Sequence, residues 1–323
     1  MAAVPATRGQ LICGWIATGI CIAVGVLWAI WGTIEAFHEG WWHPTLASRI
    51  EYALRYLTPM AAVLLFTLFA IRLPRFGAVL FFAGGAWFSW WIFSKSWPSI
   101  SLAHFLSWLP VTLLVVAVGL VWWFGRPEPR RLAYLLALAI PLLLVIVLAI
   151  EPLWRVTHRL DDGYRGARLV QGNGVTLVWA PAGPGWVTDA QHAVDWHEAA
   201  RICAHLRADG LTLSHQPQHI WRLPTVTEAV ASMTRHGVNC GGVWDTERGK
   251  ATYQTKPDKE SPLWATDAET IYWWTATEDG ADRAWRITYD GVAWSKSKDL
   301  GMGSQGFRAV REPTTEELAT LPH

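Results

Sequence analysis

Apolar residues fill the first half of the chain in five stretches, at about 11 to 34, 54 to 72, 76 to 94, 104 to 125 and 132 to 152, parted by short polar connections. A helix needs about 20 such residues to cross the hydrocarbon core, because its backbone polar groups must be satisfied within the segment. The pattern therefore predicts five transmembrane helices. The first stretch follows Arg8 as a signal peptide would, but it outruns the ~7 to 15 apolar residues of a signal core and reads as a retained anchor. Pro110 sits near the start of the fourth stretch, where proline is tolerated, and Pro141 lies inside the fifth, where it should kink the helix.

From about Arg155 the pattern turns polar, and Asp161-Asp162-Gly163 with Gly166 reads as a linker over 155–169. Beyond it, Asp195 with Glu198 and then Thr225 with Glu228 each precede an apolar stripe, which predicts two capped helices, the second stopped by Gly237. Trp285, Ile287 and Tyr289 alternate with Arg286 and Thr288 ahead of Asp290-Gly291, then Val292 and Trp294: a β-hairpin. Further strands are expected at Thr176 to Ala180, Ile271 to Thr277 and Phe307 to Val310. Two early helices followed by short strands indicate an α+β domain over 170–312, with a tail at 313–323.

Loop charge suggests an orientation. Arg72 and Arg75 join the second and third stretches, and Arg126, Arg130 and Arg131 join the fourth and fifth, which by the positive-inside tendency puts both connections in the cytoplasm. Arg49, Arg55, Lys95, Arg155 and Arg159 on the other side oppose this, several of them offset by Glu51, Asp161 and Asp162. With five crossings the N-terminus is then cytoplasmic and the C-terminal domain extracytoplasmic. Trp41, Trp42, Trp90, Trp91, Trp97, Trp108 and Trp154 are expected at the outer interface, and Trp122 and Trp123 at the inner one. No ionisable residue falls near the centre of a stretch, which argues against a pump or ion-coupled transporter. Ala17, Cys21 and Gly25 form a small-residue ridge open to two readings, close packing inside the chain or a dimer seam.

The 323-residue chain has a formal net charge of +1, and no run of Lys or Arg long enough to track a phosphate backbone or hold an anionic membrane surface. Nucleic acid is not an expected partner.

One set of motifs goes beyond pattern. Gly174-Val175-Thr176-Leu177-Val178-Trp179, Trp196-His197-Glu198-Ala199-Ala200-Arg201-Ile202-Cys203, Trp221-Arg222-Leu223-Pro224-Thr225-Val226-Thr227-Glu228, Tyr272-Trp273-Trp274-Thr275-Ala276-Thr277, Ala284-Trp285 and Gly306-Phe307-Arg308-Ala309-Val310-Arg311 occur in this order. Together they resemble the Lcl C-terminal-domain family, named for a collagen-like adhesin. The resemblance covers about 170–312 and implies a C-type-lectin-like fold of largely unknown function, related in shape to the formylglycine-generating sulfatase-modifying factors. Members of the family often end in Arg-Cys-Val-Arg and can pair that cysteine with the helix cysteine. Here the position is Ala309, which leaves Cys203 either paired with Cys240 or a buried free thiol. In an oxidising compartment the disulfide would contribute about 3 to 4 kcal/mol.

The chemistry implied by that relationship lacks its residues. No cysteine lies between Gly241 and His323, so formylglycine generation is not expected. Gln216-Pro217-Gln218 supplies amides and a proline without the carboxylate that calcium requires. His197-Glu198 lacks the second histidine of a zinc-hydrolase helix, and Pro217 between His215 and His219 argues for a loop. No catalytic constellation and no cofactor are implied. Recognition remains, and the candidate ligand contacts are Trp273, Trp274, Trp294, Lys296 and Lys298, the last three on one face if the strand continues.

The expected architecture is an all-α five-helix transmembrane domain at 1–154 followed by an α+β C-type-lectin-like domain. The expected role is a membrane-anchored extracytoplasmic module binding a glycan, an envelope polymer or a protein. The alternatives are an accessory subunit seated beside a membrane-protein partner and an envelope enzyme of unknown reaction.

Overall fold

The computed structural model describes residues 6–39, 41–96, 102–186, 194–301 and 304–321, with the side chains of 95, 96 and 102–105 excepted. Trp97 and the Lys95 side chain, both weighed above in assigning an outer face, lie outside the described residues. The chain divides into two compact units, Met1–Gly40 with Ile50–Leu153 and Trp41–Arg49 with Trp154–His323.

Five helices are long and apolar enough to cross a bilayer. They are α1 (Arg8–Glu39), α2 (Leu46–Arg72), α3 (Pro74–Ser96), α4 (Leu102–Phe124) and α5 (Arg130–Thr157). Because α4 begins at Leu102, Pro110 lies inside the helix rather than near its start; Pro59, Pro141 and Pro152 are also within helices.

The bundle is organised on a seam of small residues along α1. Gly14, Thr18, Cys21, Gly25, Ala29, Gly32 and Ala36 are all buried and recur every three or four residues, the spacing that keeps one helix face turned toward its neighbours. A Cβ at Gly14 would sit 2.3 Å from the Pro127 nitrogen, one at Gly25 would sit 3.2 Å from the Pro141 ring, and one at Gly32 would sit 2.7 Å from the Tyr56 carbonyl oxygen. The ridge is thus used for close approach inside the chain, the first of its two readings. The same device recurs where α3 meets α2, with a Gly77 Cβ 2.3 Å from the Ala70 Cα.

Several polar side chains in the bundle find partners within it. Thr18 donates to the Gly14 carbonyl at 2.7 Å and Thr67 to that of Val63 at 2.6 Å, while Ser89 and Thr112 link α3 to α4 at 2.9 Å. Trp122, expected at the inner interface, is instead fully buried and donates to the Cys21 Sγ at 3.4 Å. Its ring fills the space that the small α1 residues leave open. Trp123 beside it is exposed.

In the second unit β1 (Arg168–Gln171) and β2 (Thr176–Trp179) form a hairpin, followed by α6 (Trp196–His205) and α7 (Val226–Ser232). Asp195 accepts from the Glu198 backbone N–H at 2.8 Å, and Thr225 and Glu228 form a reciprocal capping box, as their sequence spacing predicts. Helix α7 ends at Ser232, so Gly237 is not its stop. His236 and Gly237, both at positive φ, instead turn the hairpin of β3 (Thr234–Arg235) and β4 (Val238–Asn239).

A second short hairpin, β5 (Val243–Asp245) and β6 (Lys250–Thr252), precedes the main sheet of β7 (Tyr272–Glu278), β8 (Arg283–Thr288), β9 (Ala293–Ser297) and β10 (Gln305–Gly306). Its order is β10-β7-β8-β9, antiparallel except where β10 joins β7. The β8–β9 turn follows the expectation with one refinement: only Gly291 has positive φ, and the Gly291 N–H reaches the Thr288 carbonyl at 3.0 Å, an arrangement suited to a three-residue loop. The expected strand Phe307 to Val310 is interrupted. Only β11 (Val310–Arg311) pairs with β2, because Arg308 turns into the core; a last short helix, α8 (Glu317–Thr320), follows.

Both faces of the main sheet are covered. Trp273, Ile287 and Ala293 face a core shared with Val226, Val230 and Met233, while Trp274 and Ala284 face one shared with Ala199, Cys203 and Trp221. Cys203 belongs to the second core and Cys240 to the first, and both are free thiols. The Cys203–Cys240 disulfide is therefore not formed: the sulfurs lie in separate clusters, and burial pushes the Cys240 thiol up to about 11.

Gly14→Val should shorten the life of the folded bundle, since its side chain meets backbone that cannot yield, whereas Gly19→Ala meets nothing within 4 Å. Thermal unfolding of the full chain in detergent, followed by size exclusion, should show a loss of at least about 1–3 kcal/mol for the first and near-neutrality for the second. Equal midpoints would contradict the seam.

Candidate functional site

Trp273 and Trp274 are 1% and 0% exposed, because neighbouring residues on β7 point into opposite faces of a sheet covered on both. Neither is available to a surface ligand in this structure. Trp274 donates from Nε1 to the Val194 carbonyl at 3.0 Å. Lys298 is 6% exposed and engaged: its Nζ donates to Glu278 at 2.6 Å and to the Ala281 carbonyl at 2.7 Å, 4.8 Å from the centre of the Trp196 ring. Trp294, by contrast, is 50% exposed, and Lys296 two residues on is half-buried. Of the five candidates, the structure leaves this pair at the surface, on edge strand β9.

On the neighbouring strand, the register partner of Trp294, Arg286, is buried, with the guanidinium 3.9 Å from the centre of the Tyr272 ring and Nη1 donating to Gln305 Oε1 at 2.9 Å.

The rest of the indole inventory is structural. Trp264 stacks on Trp273 with centroids 3.6 Å apart, and Trp179 and Trp186 lie 5.7 and 6.4 Å from the same ring. Arg308, 2% exposed, lies over this group, 4.6 Å from Trp186 and 5.9 Å from both Trp179 and Trp273. It donates to the carbonyl oxygens of Ala180 at 2.8 Å, Pro262 at 2.9 Å and Leu263 at 2.6 Å. Burial and then the charges of Arg168 and Arg165 pull its acidity to about 9, so it is still a cation at neutral pH. The Nε1–H groups of Trp179, Trp186, Trp264 and Trp273 have no hydrogen-bond partner among the described residues, so these side chains act through their ring faces.

A second buried polar region is Asp258-Lys259-Glu260-Ser261. Asp258 accepts from Arg155 at 3.0 Å and Arg159 at 2.8 Å. Burial resists its ionisation, but Arg159, by charge and hydrogen bond, and then Arg155 hold the carboxyl below its ordinary range. Glu260 accepts from the His236 backbone N–H at 2.7 Å, and Ser261 donates to Asp162 at 3.1 Å. Arg165 with Asp161, and Arg168 with Asp162, complete the set. Residues 155–169 are thus pinned to the domain by charge rather than strung loosely before it. Lys259 donates to the Ala268 carbonyl, and burial followed by the charge of Arg159 lowers its ammonium to about 7, against Asp267, Asp258 and Glu269. At 1% exposure its amine is out of reach of a substrate.

An open cleft of about 510 Å³ is lined in part by His219, Arg222 and Arg311. Both arginines are occupied, Arg222 by Glu228 through two 2.7 Å contacts and Arg311 by Glu317. His215 and His219 are exposed, in keeping with a loop. Among the described residues, no group of three or more His, Cys, Asp or Glu is placed to hold a metal ion. In comparisons with protein-family models, curated proteins and solved structures, nothing matches the chain.

The Lys259 pKa sets a pH dependence. Its folded value of about 7 lies below the ordinary lysine value of 10.5, so between these values the unfolded chain holds a proton that the folded chain has released. Stability then rises with pH through that window. From pH 7 to 8.5 the gain should be about 1–2 kcal/mol in chemical unfolding followed by near-ultraviolet circular dichroism, and Lys259→Met should flatten it. An unchanged slope in the variant would contradict the assignment.

Proposed function

We propose that the chain is a membrane-anchored recognition module: five helices hold an α+β domain of C-type-lectin-like type on the extracytoplasmic side, where it binds a glycan or envelope polymer. The observation that carries this reading is Trp294, a half-exposed indole on an edge strand beside Lys296, in a domain that buries Trp179, Trp186, Trp221, Trp264, Trp273 and Trp274. A flat apolar ring with a cation nearby suits the apolar face of a sugar and the acidic groups that envelope polymers carry, and tryptophan is over-represented among residues that dominate binding energy. The spacing of loop arginines supports the orientation. The motif order quoted above supports the fold type.

The reading is tested with purified full-length protein in detergent on an array of immobilised polysaccharides and peptidoglycan fragments. Wild type should be retained on at least one class, and Trp294→Ala should weaken retention by roughly 30-fold, the loss expected of a central binding residue. Lys296→Ala should do so less. Retention that survives Trp294→Ala unchanged would remove the recognition face.

A further inference from the structure

The first unit contains a cavity of about 770 Å³ assembled from three distant stretches: Gly9, Gln10 and Cys13; Leu73 to Phe76; and Trp123 to Arg126. We infer that it is a binding site for the headgroup of an anionic phospholipid. This inference is independent of the recognition face on β9.

Charge is the first argument. Arg75 and Arg126 line the cavity, and Arg8 and Arg72 belong to the same helix ends, against a single carboxylate in these connections, Glu128. Glu128 pairs with Arg126 at 3.2 Å. No carboxylate pairs with Arg75 among the described residues; its guanidinium lies 6.0 Å from the centre of the exposed Trp123 ring. No sequence run of basic residues announces this, because the arginines come from separate connections that folding gathers.

Backbone geometry is the second argument. The first turns of α1 and α3 line the cavity through Gly9 and Gln10 and through Pro74 to Phe76, and the C-terminal ends of α2 and α4 line it through Leu73 and through Trp123 and Phe124, so four helix ends converge on it. Thr7 and Gln10 cap each other at 2.9 and 3.3 Å, and the Arg126 N–H is held by the Gln10 carbonyl at 2.8 Å, which fixes the α1 end to the α4–α5 connection.

Shape and place are the third. Leu73, Phe76, Trp123 and Phe124 supply apolar walls at the end of a membrane-spanning bundle, where a lipid presents a phosphate above its acyl chains. A soluble phosphate would share the arginines but gain nothing from the four apolar side chains.

The test is native mass spectrometry of the full chain released from detergent, after equilibration with dioleoylphosphatidylglycerol, dioleoylphosphatidylcholine or sodium phosphate. Phosphatidylglycerol adducts should persist where phosphatidylcholine adducts are stripped. Arg75→Gln should reduce them about fivefold and the double variant with Arg126→Gln about 25-fold, while Arg131→Gln, outside the cavity, leaves them unchanged. Among the described residues Arg75 has no ion pair to lose, so its single variant decides the matter if the double variant elutes as misfolded. Equal retention of the two lipids, or an Arg131→Gln loss as large as that of Arg75→Gln, would overturn the site. Displacement of the lipid by millimolar phosphate would overturn the lipid assignment.

Discussion

Arg308 joins parts of the C-terminal unit that the sequence keeps far apart. Its guanidinium takes the carbonyl at the end of β2 and two more from the Pro262–Leu263 turn, and it lies against indoles from Trp179, Trp186 and Trp273. A buried cation is costly unless hydrogen-bonded, and a charged donor with a planar fork can satisfy several carbonyls that a neutral side chain would leave orphaned. The surrounding ring faces lower the cost further. With Trp264 stacked on Trp273, the arrangement gathers four indoles in this core. Trp294 lies apart from it, half-exposed on edge strand β9.

The transmembrane unit solves a different problem by a different means. Without water to drive apolar surfaces together, helices associate by close backbone approach, and the small residues along α1 allow it. The bulky Trp122 fills what they leave. The contacts along this seam are steric rather than ionic, and among the described residues no carboxylate pairs with Arg75.

What the sequence made legible follows from which interactions are local. The helix caps at Asp195 and Thr225, the hairpin at Asp290-Gly291 and the five apolar stretches depend on neighbours three or four residues away, or on a simple period, and all appear where that chemistry puts them. Gly237 was misread because a positive-φ glycine ends a helix and turns a hairpin equally well. Trp122, Trp273, Trp274 and Lys298 were misplaced because burial depends on what covers a face, and that is decided by α6, α7 and distant strands. Arg308 and Asp258 carried only a faint signal: a lone charge in the apolar run Phe307 to Val310, and an acid whose arginine partners lie about a hundred residues earlier. Of the candidate site, the two-residue period placed Trp294 and Lys296 on one face, where Trp294 is half-exposed and Lys296 half-buried.

The central proposal is that the domain carrying Trp294 stands outside the cytoplasm and the arginine-rich end of the bundle faces in. Protease treatment of intact cells expressing the chain with a C-terminal epitope tests this most directly, with a cytoplasmic protein as the integrity control. The account predicts that the epitope is lost while the control survives. An epitope protected until the membrane is permeabilised would place the domain inside and contradict the account.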